Sequence, residues 1–187
     1  MKRPLKTTAL TVALLALPFG LSACSSSGTG ADLSNDMYHG STHTMEITDR
    51  QSFAEAMIPH HQQAIDISQF APLNTTNPEI LSIAGKIYST QGPEIEKMAL
   101  WLNGKSVDYT MKMDGMLSTT QVNTLRGLKE ADFDQLYAQY MIQHHEGAVK
   151  MAADALGLDD PELTDFANEI IVTQSAEIEE LMALLNK

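Results

Sequence analysis

Cysteine, tryptophan and basic residues are scarce in this sequence, and the shortage of cysteine and of basic residues excludes whole classes of protein. Cys24 is the only cysteine among 187 residues, so the chain has neither an internal disulfide nor a thiolate cluster for a metal. The sequence has 12 basic and 24 acidic residues, and three of the 12 basic ones, Lys2, Arg3 and Lys6, lie at its N-terminal end. A nucleic acid is therefore excluded as a partner, because phosphate binding needs a basic surface.

Several catalytic motifs are also missing from the sequence. It contains no Gly-rich phosphate loop, no Gly-x-Ser-x-Gly nucleophile elbow and no cysteine placed as a nucleophile, so a hydrolase is not indicated. The Glu-x-x-His motif of di-iron helical bundles does not occur either. A binding protein is thus favoured over an enzyme.

Residues 1–23 predict an export signal. Three basic residues precede an apolar stretch, 7–17, that is too short to span a bilayer. The sequence Leu21-Ser22-Ala23-Cys24 resembles the lipobox of bacterial lipoproteins, in which the cysteine is lipidated and becomes the new N-terminus. We therefore expect a lipid anchor at Cys24 that holds the protein on the extracytoplasmic face of a membrane in the cell envelope. An ordinary signal peptide with a chance cysteine is the alternative.

Residues 24–48 predict a flexible tether. A Gly/Ser linker at 25–30 leads to a segment without helical or strand periodicity that carries Met37, His39, His43 and Met45. This segment is either a disordered polar linker or a mobile arm that picks up a metal ion.

A duplicated motif dominates the rest of the chain. Met-Ile-x-His-His-x-x-Ala occurs at 57–64 and again at 141–148, and Gln-x-x-Glu-Ile occurs at 91–95 and 174–178. Helical spacing of apolar residues surrounds both copies, and no segment alternates with a period of two. Residues 49–187 therefore predict an all-α domain, a four-helix bundle made of two repeated helix hairpins.

Capping signals set the expected helix bounds. The first helix starts near Asp49 and stops at Ala71-Pro72, and the second starts at Asn77-Pro78 and ends near Trp101-Leu102. After a crossover loop at 103–120, capping boxes at Ser118 and at Asp132 open a short helix to Lys129 and a long helix to about Leu156. The last helix starts at Asp160-Pro161 and ends near Leu185.

Both histidines of each pair fall on the same stripe of their helix as the methionine one turn earlier, within about 100° on a helical wheel. The sequence therefore predicts a metal site inside the bundle. A thioether stands where a di-iron bundle has a carboxylate, and thioether with imidazole suits copper, above all Cu(I). The expected ligands of this copper ion, whose stoichiometry stays open, are Met57, His60, His61, Met141, His144 and His145.

Two further groups of residues have more than one interpretation. The first group consists of the polar residues on the apolar stripes of the second and fourth long helices, namely Gln91, Glu94, Gln174 and Glu177. These residues either hydrogen-bond the second imidazole nitrogen of the ligating histidines or form internal hydrogen bonds unrelated to a metal. Direct ligation by Glu94 or Glu177 is the third interpretation. In the crossover loop, Met111, Met113 and Met116 form either a core cluster or a second soft-metal patch.

These motifs resemble the domain-of-unknown-function 305 family, over about residues 49–186. The Trp101-Leu102 pair and Gly115-Met116 are similar to the family as well. The resemblance implies an exported, ferritin-like four-helix bundle, with some members linked to copper binding and tolerance, and it implies the same six ligands. Family members often have a methionine at the position of Ile67, so a fully symmetric site is not expected.

We therefore expect an exported lipoprotein that binds copper for sequestration or transfer in the cell envelope. A ferritin-like metal-dependent oxidase and a metal-free helical interaction module are the alternatives. The expected partners of the protein are a metal ion and a membrane, to which the lipid anchor attaches it. Whether the protein forms homo-oligomers stays open.

Overall fold

A computed structural model describes residues 45–187, which contain helices and loops but no β-strand. The all-α prediction is confirmed. The helices are α1 (Arg50–Ser68), α2 (Ala71–Asn74), α3 (Pro78–Trp101), α4 (Thr119–Gly127), α5 (Glu130–Ala155) and α6 (Pro161–Leu185). Within the same residues no helix is long and apolar enough to cross a membrane.

The four long helices form two antiparallel hairpins. Helix α1 packs mainly on α3 and α5 mainly on α6, with fewer contacts from one hairpin to the other. The crossover segment that joins the hairpins includes the short helix α4. The predicted bundle of two repeated hairpins is thus confirmed.

Side-chain caps begin three of the long helices where the sequence predicts. Asp49 accepts a hydrogen bond from the backbone N–H of Ser52, Asn77 accepts one from Glu79, and Asp160 accepts one from Leu163. Each bond satisfies a backbone donor that lacks a partner within the helix. The capping box between Ser118 and Gln121 at the start of α4 is also present.

The predicted N-cap of α5, Asp132, is wrong by three residues, because the helix begins at Glu130 after an N-cap at Lys129. Tertiary contacts explain the earlier start. Glu130 accepts hydrogen bonds from the backbone and hydroxyl of Thr76, and the Lys129 ammonium donates to the Leu73 carbonyl. These bonds tie the first turn to the loop before α3 and offset the cost of a left-handed backbone at Glu130, whose φ is 47°.

The first helix also ends a little earlier than predicted. It stops at Ser68, and Pro72 lies in the first turn of a separate short helix, α2. Proline is well tolerated in a first helical turn because its missing N–H would have no partner there. Pro72 therefore marks the start of a new helix and not the end of α1.

The interior is divided into two hydrophobic clusters, one toward each end of the bundle. The first cluster, here called the upper cluster, includes Phe53, Met98 and Phe166. The second, the lower cluster, includes Ile80, Phe133 and Leu181. Between them lies a polar layer, which consists of His60, His61, Gln91, Glu94, His144, His145, Gln174 and Glu177. Seven of these eight residues are fully or almost fully buried, so the layer needs a physical explanation.

Candidate metal centre

The polar layer places four imidazoles together in the middle of the bundle. All four rings are completely buried. The rings of His60 and His144, from the two facing helices α1 and α5, have centroids 3.9 Å apart, and His144 and His145 have centroids 6.1 Å apart. Helical spacing causes this arrangement, because consecutive histidines on one stripe both point inward and antiparallel helices bring the two pairs to the same level.

Two of the imidazoles have identical partners in the two hairpins. Nε2 of His61 lies 2.8 Å from Oε2 of Glu94, and Nε2 of His145 lies 2.8 Å from Oε2 of Glu177. Since an ionised carboxylate only accepts hydrogen bonds, Nε2 carries the proton in both rings. In the neutral form of each ring, Nδ1 then keeps a free lone pair, and this is the tautomer that a metal-binding histidine needs.

The first histidine of each pair breaks the symmetry. Nε2 of His60 donates to the backbone carbonyl of Asp114 over 3.1 Å, so this ring also keeps its Nδ1 lone pair. Among residues 45–187, neither ring nitrogen of His144 has a hydrogen-bond partner. Of the four rings, His144 therefore has the most ring nitrogens without a hydrogen-bond partner.

Burial keeps the central imidazoles neutral. Desolvation, reinforced by the neighbouring His61, lowers the pKa of His60 to about 3. Desolvation and then the neighbouring His60 and His145 hold the pKa of His144 well below its usual value. Both rings are therefore uncharged at neutral pH, and a neutral imidazole is the form that coordinates a metal.

The donors in the layer fit a soft ion better than a hard one. Within the described part of the chain, Nδ1 of all four rings and Nε2 of His144 have no hydrogen-bond partner, and each such buried atom costs about 1–3 kcal/mol. No three His, Cys, Asp or Glu side chains in residues 45–187 converge tightly enough to enclose an ion. The four histidines therefore do not form a closed coordination cage in this arrangement either. The two carboxylates of the layer each contact an imidazole, which leaves too few oxygens for a calcium or magnesium site.

The two predicted methionine ligands flank the imidazoles from opposite sides. Met57 belongs to the upper cluster and Met141 to the lower cluster, and both are fully buried. Each precedes the first histidine of its pair by one turn, but α1 and α5 run in opposite directions. The structure thus brings the four imidazoles together and places one thioether toward each end of the bundle.

The polar residues of α3 and α6 divide into two kinds. Glu94 and Glu177 hold imidazoles, as described above. Gln91 and Gln174 are buried, yet their side-chain amides have no partner among residues 45–187. The glutamates therefore orient histidines, whereas the glutamines add further unused hydrogen-bonding groups to the layer.

The predicted accessory residues lie in different places. Met45 and Met113 pack against the upper cluster, and Met111 and Met116 are half-buried in the crossover loop. Four residues lie outside the described part of the chain, namely Cys24, Met37, His39 and His43. Met113 is thus the loop methionine that packs against a hydrophobic cluster, and the core cluster and the second soft-metal patch both stay predictions for the group.

Sequence reasoning missed the backbone group that holds His60. The carbonyl of Asp114 lies 54 residues away along the chain, and no spacing rule connects the two. One signal was present, because Gly147 follows a His-His-Glu sequence inside a long helix, where glycine is unfavourable unless a close approach requires it. The Cα of Gly147 indeed lies against the backbone of Asp114 and Gly115.

Comparison with a family model and with solved structures points to one protein family. The family model described as a domain of unknown function, DUF305, matches residues 50–185. A crystal structure of a DUF305 protein from Streptomyces coelicolor is 26% identical, with a TM-score of 0.67, and covers 74% of this chain and 93% of its own. A DUF305 fragment from Deinococcus radiodurans is 28% identical, with a TM-score of 0.66, and covers 73% and 95%.

The protein CopM is similar as well. Its Cu(II)-bound form is 31% identical to this chain, with a TM-score of 0.63, and covers 73% of this chain and 95% of its own. Its Cu(I)-bound form is 32% identical, with a TM-score of 0.61, and covers 72% and 94%. No curated protein sequence matches the chain. The fold, the repeated motifs and the span of the match together show that this chain belongs to the DUF305 family.

Proposed function

We propose that this protein binds a soft metal ion, copper in its monovalent state, in the polar layer to which both hairpins contribute. Its ligands are drawn from the Nδ1 lone pairs of His60, His61, His144 and His145 and from the sulfurs of Met57 and Met141. These side chains move together when the ion binds, because no three of the histidines converge tightly enough without it. The protein then sequesters copper or hands it on outside the cytoplasm.

One observation carries this proposal: four imidazoles are completely buried, and three of them have Nε2 already engaged by an acceptor. In a helical core without a ligand, four polar rings whose remaining nitrogens lack partners among residues 45–187 would only lower stability. An ion that takes up these lone pairs offsets the desolvation of the layer. Imidazole and thioether are the donors that favour copper among common metals.

The similar structures support copper and related soft ions. CopM was solved in Cu(I)-bound, Cu(II)-bound and Ag-bound forms. Silver(I) is therefore a suitable redox-inert substitute for Cu(I) in experiments on this chain. The oxidase alternative is less well supported, because Glu94 and Glu177 each bind an imidazole instead of pairing with each other at a two-metal centre.

The location that we propose is the cell envelope. Support comes from the leader at 1–23 and the lipobox-like sequence that ends at Cys24, and the Streptomyces coelicolor relative is provisionally described as a secreted protein. The lipid anchor would keep the copper site at a membrane surface. Mass spectrometry of the protein from membranes tests this part, since an unmodified Cys24 would contradict it.

Copper binding is tested by competition titration of residues 25–187 with Cu(I) and a chromophoric chelator. The decisive variant replaces His60, His61, His144 and His145 together by Ala. The matched control replaces His39 and His43, the two histidines of the tether, by Ala. We expect tight binding by the native chain and by the control, and loss of the core site in the fourfold variant.

Three outcomes would contradict the proposal. Affinity that stays unchanged in the fourfold variant would place the metal elsewhere. Absence of binding by the native chain would leave the metal-free interaction module as the better explanation. Loss of binding in the tether variant alone would move the site to the segment around Met37 and Met45.

A further inference from the structure

A short stretch of the crossover loop lies directly on the imidazole layer. This stretch, Asp114–Leu117, is here called the strap. It covers the seam between α1 and α5, where the Asp114 carbonyl accepts the hydrogen bond from Nε2 of His60. The strap thus provides His60 with the acceptor that Glu94 and Glu177 provide for the second histidine of each pair.

Two glycines allow the strap to approach α5 this closely. A Cβ atom on Gly147 would lie 2.0 Å from the carbonyl oxygen of Asp114, and one on Gly115 would lie 2.6 Å from the carbonyl oxygen of Gln143. Neither distance is physically tolerable. Gly115 also has a φ of 82°, which other residues rarely adopt. Any side chain at these positions must therefore push the strap away from α5, and the Asp114 carbonyl moves with it.

Polar side chains clamp the strap at both ends. Gln63 of α1 donates to the Leu117 carbonyl over 3.0 Å and accepts from the Leu117 N–H over 2.7 Å. At the other end, Lys150 of α5 pairs with the Asp114 carboxylate, and Gln143 donates to the Gly115 carbonyl over 3.3 Å. The strap is consequently held by both helices that carry histidine pairs.

We propose that the strap is the positioning element for His60. Its Asp114 carbonyl keeps the proton on Nε2, so that Nδ1 keeps its lone pair for the ion. Loosening the strap lets the His60 ring change tautomer and lets a bound ion leave faster. The second of these statements rests on the proposed function, whereas the first concerns the metal-free protein alone.

The first test compares two helix glycines. Gly147→Ala introduces a Cβ against the Asp114 carbonyl, whereas Gly85→Ala introduces one in α3 where no described atom lies within 4 Å. Both substitutions favour the helical state equally. Their difference therefore reports the displacement of the strap.

A second pair of variants guards against misfolding of Gly147→Ala. Gln63→Ala removes both hydrogen bonds to Leu117, whereas Gln62→Ala removes only the bond to Asp66 within α1. Gln62 and Gln63 are adjacent and equally half-buried. Neither belongs to the ligand set.

The primary readout is the ¹⁵N spectrum of the imidazoles in the metal-free protein. We expect a single Nε2–H tautomer for His60 in the native chain and in both controls, and a mixture of tautomers in Gly147→Ala and Gln63→Ala. His61 and His145 keep their signals in all variants, because Glu94 and Glu177 are untouched. A global packing defect would instead move all the histidine signals.

The second readout is the rate at which Ag(I) passes from the protein to a chelator. Changing groups that orient metal ligands costs about 10- to 100-fold in metal affinity, so we expect the two strap variants to release Ag(I) faster by about that factor. An unchanged His60 tautomer in both strap variants overturns the positioning role. A changed tautomer with unchanged release overturns the effect on the metal. A native chain that binds no Ag(I) refutes the proposed function, and the tautomer comparison still decides the positioning role.

Discussion

At the scale of single residues, the proposed function predicts that His144 lowers the stability of the metal-free protein. Its ring is fully buried, and neither nitrogen has a partner among residues 45–187. Leucine has a similar volume and no polar atom. We therefore expect His144→Leu to raise the free energy of unfolding of the metal-free protein by about 1–3 kcal/mol and to weaken Ag(I) binding strongly. Urea unfolding and silver titration measure the two effects, and destabilisation by this substitution would show that a buried water or another group satisfies the ring.

The carboxylates behind the second histidines are expected to matter for affinity. Glu177→Gln replaces a charged acceptor of the His145 N–H by a neutral one. The affinity for Ag(I) should fall about 10- to 100-fold. Glu179→Gln is the control, because Glu179 lies two residues further along α6 and is exposed. Equal affinities of the two variants would mean that His145 needs no charged partner.

Acid should destabilise the metal-free protein. The pKa of His60 is about 3 in the folded state and near 6.5 in an unfolded chain. As the pH falls through this interval, the unfolded state takes up a proton that the folded state refuses, so stability is lost toward low pH. Each such histidine contributes a slope of up to about 1.4 kcal/mol per pH unit. Urea unfolding between pH 7 and 4.5 measures the slope, which should be smaller for His144→Leu than for the native chain.

At the scale of helices, local signals predict starts well where a single side chain decides them. Asp49, Asn77, Ser118 and Asp160 all cap the helices that they were expected to cap. The start of α5 differs because Lys129 and Glu130 bind residues 73–76, and no local rule includes contacts over more than 50 residues. Capping is thus encoded locally, whereas the docking of a helix start against another loop is not.

Asp160 has two stabilising roles, as the N-cap of α6 and as a partner in an ion pair, and two substitutions can separate them. Asp160 accepts from the Leu163 N–H and also pairs with Arg50 of α1. Asp160→Ala removes both interactions and should cost about 1 kcal/mol of stability. Asp160→Asn keeps a good capping group and loses only a partly exposed ion pair, which contributes little. Thermal unfolding of both variants measures the difference, and equal losses would assign the effect to the ion pair.

At the scale of the whole molecule, the duplication explains what the sequence reveals about the candidate site. The repeated motifs predict that four histidines share one interior, and the matching His–Glu bonds of 2.8 Å in both hairpins agree with an equivalent pair of halves. The duplication does not predict the strap, because the crossover loop occurs once and therefore makes His60 and His144 unequal. Nor does it predict that Met57 and Met141 lie on opposite sides of the layer, which depends on the antiparallel run of α1 and α5.

The proposed ion would link the two hairpins, because its ligands come from both. The hairpins have more contacts within themselves than with each other, although both hydrophobic clusters contain residues of both hairpins. An ion held by α1 and α5 together binds the folded state and not the unfolded chain. At a free Ag(I) concentration 100 times Kd, it should therefore raise the free energy of unfolding by about 2.7 kcal/mol.

Chemical denaturation with and without Ag(I) measures this gain, and hydrogen exchange shows where it acts. Protection should increase in both hairpins at once, because the ligands come from both. The variant that lacks all four core histidines should gain nothing, while the tether variant without His39 and His43 should gain as much as the native chain. A gain confined to one hairpin would show that a single histidine pair holds the ion and that the two halves do not share it.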